Sequence, residues 1–398
     1  MSLLDPHMLI HLIVRGLDFA TMVIVVGGLA FESFVAAPAL DRLEGLARES
    51  AALAFRRRYA RFVGWSLVAL LVLQGIDLVL RVQMMSGRPF SAVPGLLPQA
   101  AVGTHVGKVW LGKMAVLVGL LIVWRVASGT DAPPRPRPTR SRYVLLAGAA
   151  LFCLMVALAG HGADQGNLSL AVAGDWLHVA AVSTWVGGLI SLRALMPETL
   201  NELDEETAAR LFADTMARFS TMAGWALVLL LSTGVYNTLI HIHAWAGLGS
   251  PYGLALLAKV GFVTPMIALG AWSRYRILPE LQGVRGEREG LRGVARLVDA
   301  AIALGRRLPG WRVPRALGDT VAARHQTCLH LIFYECLLAA GVLVCTAILT
   351  QTTPPHVTGF HAPGSTPPEM RHMREMPGQN LSRHVGNNDL NPPVITSR

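Results

Sequence analysis

Charge is scarce in this chain. Of 398 residues only 15% are Asp, Glu, Lys or Arg, against 53% hydrophobic, and the mean hydropathy is +0.46, which excludes an ordinary soluble domain. The four cysteines, Cys153, Cys328, Cys336 and Cys345, never fall in a CxxC spacing. That argues against a disulfide framework or a zinc site and leaves them as buried thiols. No phosphate-binding loop and no nucleophile–base constellation is visible, so neither an ATP-driven pump nor an enzyme is expected. No basic stretch precedes the first apolar run, and a cleavable signal is not expected.

Long apolar runs are what the chain does have. Runs near the ~30 Å hydrocarbon thickness occur at about 10–37, 62–84, 106–127, 143–161, 174–196, 219–243, 253–275 and 326–349. They are too continuous for barrel strands, so the expectation is an all-α polytopic membrane protein of about eight transmembrane helices. The formal net charge of +10 would suggest nucleic acid for a soluble protein; here its distribution sets orientation instead, and no nucleic-acid partner is expected. Arg42, Arg48, Arg56, Arg57, Arg58 and Arg61 follow the first span, Arg125, Arg135, Arg137, Arg140 and Arg142 the third, and a dense arginine set from Arg274 to Arg324 the seventh. The loops at 162–173 and 244–252 carry no Lys or Arg. The positive-inside rule therefore places both termini and these two loops outside, in a periplasm if the host is Gram-negative.

The halves echo each other: "VVGGL" at 25–29 and "WVGGL" at 185–189, "GW" at 64–65 and 224–225, "GKVWLGK" at 107–113 and "GLALLAK" at 253–259. This reads as a four-helix repeat used twice, both copies in one orientation, with glycines allowing close helix approach. The expected organisation is a first repeat in 1–130 (spans 1–3), a Pro/Arg-rich cytoplasmic linker at 131–142, span four and the second repeat in 143–350, and a disordered outer tail at 351–398. Within the second repeat, 276–325 includes a basic amphipathic segment suited to lie on the inner leaflet.

Ionisable groups inside a bilayer are costly and mark function or ion pairing. The orientation puts His11, Arg15, Asp18, Asp77, Lys113, His161, His178, His241, His243 and Lys259 at one outer level. Asp18 lies nine residues before Gly27 and His178 nine before Gly187, so the second unit offers imidazole where the first offers carboxylate. The aspartates and lysines admit a purely structural reading as a network fixing helix register. Several histidines converging at one depth make a metal site plausible, and thioethers beside them suit Cu(I). Met155 and Met22 are near enough to contribute, though core packing explains each alone. In the tail, His356, His361, Met370, His372, Met373 and Met376 form a loose cluster able to hold either copper oxidation state, or belong to an ordinary polar tail. Toward the inner side only Glu32, His330 and Glu335 are polar.

"GHGADQGN…DWLHVAAVSTWVGGL", "ARFSTMAGWALVLLLSTGVYN" and "SPYGLALLAKVGFVTPMIALGAWSRYR" resemble the copper resistance protein D family of bacterial inner-membrane proteins, over most of 10–350. The resemblance implies copper, as Cu(I) or Cu(II), moved or taken up across the inner membrane with a CopC-type periplasmic carrier. His161 and His178 fall on the family's motif positions and so carry the ligand assignment; depth adds His241 and His11, with Met155 nearby and His372 and Met373 in the tail. Asp18 departs from a symmetrical two-site arrangement. Two other readings stand beside transport: a membrane b-type cytochrome with haem between facing histidines, and a copper-delivery factor that binds without flux.

Overall fold

The computed structural model describes residues 6–128, 139–160, 166, 169–241, 245–281, 321–350 and 352. The linker around 131–138, His161, most of the amphipathic segment, and the tail with His372 and Met373 lie outside them. All regular structure among the described residues is helical. In chain order, α1 is Pro6–Phe31, continued through a π-helical turn at Glu32–Ala36 into Ala37–Leu40. Next come α2 (Gly45–Ser86), α3 (Val93–Gly103), α4 (His105–Ser128) and α5 (Thr139–Leu158). α6 runs Leu170–Val182, through a π turn at Ser183–Gly187, into Gly188–Leu200. α7 is Glu205–His241, α8 is Pro251–Trp272 followed by a π turn at Ser273–Ile277, and α9 is Val321–Leu349. Eight of these nine are long and apolar enough to span a membrane; the exception, α3, packs on α2 and α4.

Local chemistry sets the ends. Ser169 and Ser250 accept hydrogen bonds from Val172 N and Gly253 N at 3.3 and 3.1 Å, and Thr104 accepts from Gly107 N at 2.9 Å, so each span that re-enters the bilayer from the arginine-poor face starts on a hydroxyl cap. Gly87, at φ 63°, closes α2 in the left-handed conformation. Asp204 caps α7 through Thr207 N at 3.0 Å, a bond that holds its exposed carboxyl below the usual range. α2 and α7 begin well before the apolar runs predicted at 62 and 219 because hydropathy detects only the lipid-buried part of a helix. At about 1.5 Å per residue, α2, with 42 residues, is roughly twice as long as the hydrocarbon is thick. Trp65 and Trp225, 72% and 74% exposed, mark where α2 and α7 pass through the interface at the arginine-rich end.

The core lies where α1 and α6 cross. Gly27 sits against Gly187: a β-carbon on either would overlap the other helix's backbone, at Gly187 the carbonyl of Val23. Phe31, Leu189, Leu192 and Leu195 are fully buried around this contact. Gly187→Ala is expected to force the helices apart and to destabilise the protein by about 1–3 kcal/mol, read as a lowered melting temperature in detergent; an unchanged melting temperature would mean that the crossing is not tight.

Candidate functional site

The polar residues of the expected outer level form two clusters, one on each side of the α1–α6 crossing. In the first, Asp77 of α2 accepts hydrogen bonds from Arg15 Nη1 at 3.2 Å and Arg81 Nε at 2.7 Å, with His11 Nε2 at 3.7 Å from its other oxygen. Gln74 Nε2 donates to both oxygens of Asp18, at 2.8 and 3.0 Å, and Trp110 Nε1 donates to the Gln74 carbonyl at 2.8 Å. Lys113 of α4 is buried beside them and interacts electrostatically with Asp18. Two carboxylates thus answer three cations in a site where His11, Arg15, Asp18, Gln74, Asp77 and Lys113 are all below 7% exposed. Such a network costs much to desolvate and fixes register rather than adding net stability.

The second cluster is built from α6 and α7. Asn237 Nδ2 donates to Asp175 Oδ1 at 2.7 Å, and His178, one turn beyond Asp175, has Nδ1 at 3.1 Å from Thr233 Oγ1. Thr233 donates its single proton to the Leu229 carbonyl at 2.7 Å. The Leu230 carbonyl stands 3.2 Å from the same hydroxyl; with the hydroxyl proton on either carbonyl, His178 Nδ1 is the donor to Thr233 and Nε2 keeps the lone pair. This is the arrangement that prepares an imidazole for a metal: one ring nitrogen held by a hydrogen bond, the other ready to ligate. Lys259 and Tyr252 of α8 interact electrostatically with Asp175, and Lys259 is the charged neighbour of His178. A β-carbon at Gly160, two residues past the end of α5, would stand 3.8 Å from Asp175 Oδ2.

The two clusters occupy matching positions with exchanged chemistry. Arg15 and Asp175 each lie twelve residues before the paired Gly27 and Gly187, and Asp77 and Asn237 each thirteen after Gly64 and Gly224. The first unit's Arg15–Asp77 pair is thus replaced in the second by Asp175–Asn237, with the carboxylate on the other helix. Gln74, which clamps Asp18, corresponds to Gly234, where a β-carbon would lie only 3.6 Å from His178 Cε1. The imidazole ring thus packs against the Gly234 position.

Of the seven residues expected to hold metal, His178 stands in the second cluster and His11 in the first, against Asp77. Met155 packs its sulfur on α4, 3.0 Å from where a β-carbon of Gly112 would be, consistent with core packing. His241 ends α7. Among the described residues, no three His, Cys, Asp or Glu side chains gather into a metal-holding group. All four cysteines are free thiols. Asp175, Thr233 and Asn237 were not singled out from the sequence. The signal for Asp175 was present in "DWLH", whose i, i+3 spacing puts acid and imidazole on one helix face.

An all-helical, multi-pass membrane protein with a locked ion-pair network in one half and an imidazole–carboxylate pocket in the other is the class that fold and site define. The chain is matched over residues 213–308 by the model for "Copper resistance protein D" and over residues 4–170 by that for "Copper resistance protein D-like, N-terminal domain". It is similar to the copper transport protein CutJ of Bacillus subtilis, 27% identical over 54% of this chain and 39% of CutJ. It is also similar to the inner membrane protein YebZ of Escherichia coli, 24% identical over 67% of this chain and 84% of YebZ. The match therefore spans about two fifths of the length of the first relative. No solved structure matches the chain. The protein is a copper-related, multi-pass inner-membrane protein.

Proposed function

We propose that the chain takes up copper, or passes it across the membrane, and that the ion enters through the second cluster. The observation that carries this reading is the contact of His178 Nδ1 with Thr233 Oγ1 at 3.1 Å, which leaves Nε2 to face an ion one helical turn from the Asp175 carboxylate. The family resemblance offers His161, which lies outside the described residues, as the third ligand. His241 at the end of α7 and the tail residues His372 and Met373 serve as collecting ligands. The positive-inside rule makes the arginine-rich face cytoplasmic, so the pocket opens outward, where a CopC-type carrier could deliver the ion. No covalent chemistry is required, and the protein is a carrier, not an enzyme.

Thr233→Val keeps the shape but removes the acceptor for Nδ1–H. Copper affinity of the purified protein is expected to fall about 10–100-fold, the usual effect of losing such an orienting partner, and Thr233→Ser should restore it. Affinity unchanged in Thr233→Val would remove His178 from the site.

A further inference from the structure

A groove of about 770 Å³ lies between α7, α6 and the π turn of α1, on the arginine-rich half of the bundle. Its walls are apolar or small, among them Phe34, Ala181, Met222, Trp225 and Leu229. At its arginine-rich end, Asp214 accepts from Arg42 Nη1 at 2.7 Å and from Arg218 Nε at 2.9 Å. Two guanidiniums are thus pinned by one carboxylate, leaving an excess positive charge at the mouth of an apolar channel. Each guanidinium has five N–H donors in a planar fork, and one of each is used on Asp214.

This combination fits one ligand class. The volume falls in the range of built small-molecule sites, and the part of the wall beyond Trp225, formed by Ala226 and Leu229, continues into the apolar span of α7. A basic pocket between helices at the cytoplasmic surface is the pattern that selects anionic headgroups. Trp225, 74% exposed, stands at the groove wall on the interface level. Two of the three π turns contribute to the lining, through Phe34 and Thr184; such turns concentrate at functional sites because they widen a helix locally.

We infer that this groove is a specific site for an anionic phospholipid of the cytoplasmic leaflet, its phosphate on Arg42 and Arg218 and an acyl chain against α6 and α7. The groove ends beneath the copper pocket. Leu229, which lines it, also accepts from the Thr233 hydroxyl through its carbonyl, and Ala180 and Ala181 lie two and three residues after His178 on α6. A chain seated there braces the two helices that present the imidazole.

The test is lipid retention by the full-length protein, reconstituted separately with phosphatidylglycerol and phosphatidylcholine, washed in detergent and analysed for lipid per chain. Wild type is expected to keep about one phosphatidylglycerol and to lose phosphatidylcholine. At about 1 kcal/mol per interfacial arginine, Arg42→Gln with Arg218→Gln should weaken retention about 30-fold. Ala217→Phe, which fills the groove and leaves the charges in place, should abolish it. Equal retention of both lipids, or retention unchanged in Ala217→Phe, would overturn the inference. So would a dimer of this chain that Ala217→Phe dissociates without altering bound lipid, since the groove would then hold a second copy. Copper affinity is read separately on the same samples, so failure here is distinct from failure of the copper reading.

Discussion

His178→Ala should weaken copper binding by the purified protein at least ~100-fold, more than loss of an orienting partner alone would cause, without loss of fold. In the proposed reading the side chain is a ligand: Nδ1 is turned to Thr233 at 3.1 Å, so Nε2 is the atom left to meet a metal. The ring also packs against Gly234, and truncating it opens a cavity without leaving a buried charge unpaired. Asp175→Asn should give a smaller loss, because the amide retains an oxygen for Asn237 and for the ion while giving up the negative charge. Competition with a chromophoric Cu(I) chelator reads both. Equal binding by wild type and His178→Ala would move the site elsewhere, to the tail histidines first.

Asp77→Ala should have the opposite signature: a loss of stability of about 3–5 kcal/mol, the cost of leaving buried charges without their partner, with copper affinity of the folded fraction preserved. Asp77 is 1% exposed and carries Arg15, Arg81 and His11 on its two oxygens. Removing it strands two guanidiniums in a low-dielectric site. Thermal unfolding in detergent measures the first effect and chelator competition the second. A stable Asp77→Ala protein that no longer binds copper would place the cargo in the first cluster and reverse the assignment of the two halves.

The legible part of this protein is the part that hydropathy and spacing encode. Eight spans, the arginine-rich face and the glycine pairs are all visible because lipid requires continuous apolar helices and because Gly27 and Gly187 are the residues whose missing side chains let α1 and α6 touch. Depth could also be read, and it placed the ionisable groups at one level. Rotation about each helix axis could not. His11 and His178 share a depth, yet one turns to Asp77 and the other to Thr233, so a single ring of histidines resolves into two clusters. Met155 illustrates the same limit, since six residues from His161 along the chain its sulfur lies on Gly112 of α4. Asp175 and Thr233 escaped notice for a different reason. An aspartate beside a loop and a threonine inside an apolar run look ordinary until the partner helix is in place. The exchange of Arg15–Asp77 for Asp175–Asn237 is readable from the repeat only when the pairs are compared across both helices together.

On the proposed route copper crosses between α6 and α7, past His178. The most direct measurement is copper entry into liposomes containing the purified protein and a trapped copper indicator, for wild type and His178→Ala side by side. The expected result is indicator response with wild type and a rate no greater than that of protein-free liposomes with His178→Ala. An undiminished rate in His178→Ala would contradict the route, and copper binding without any entry in wild type would make the protein a delivery factor instead of a carrier.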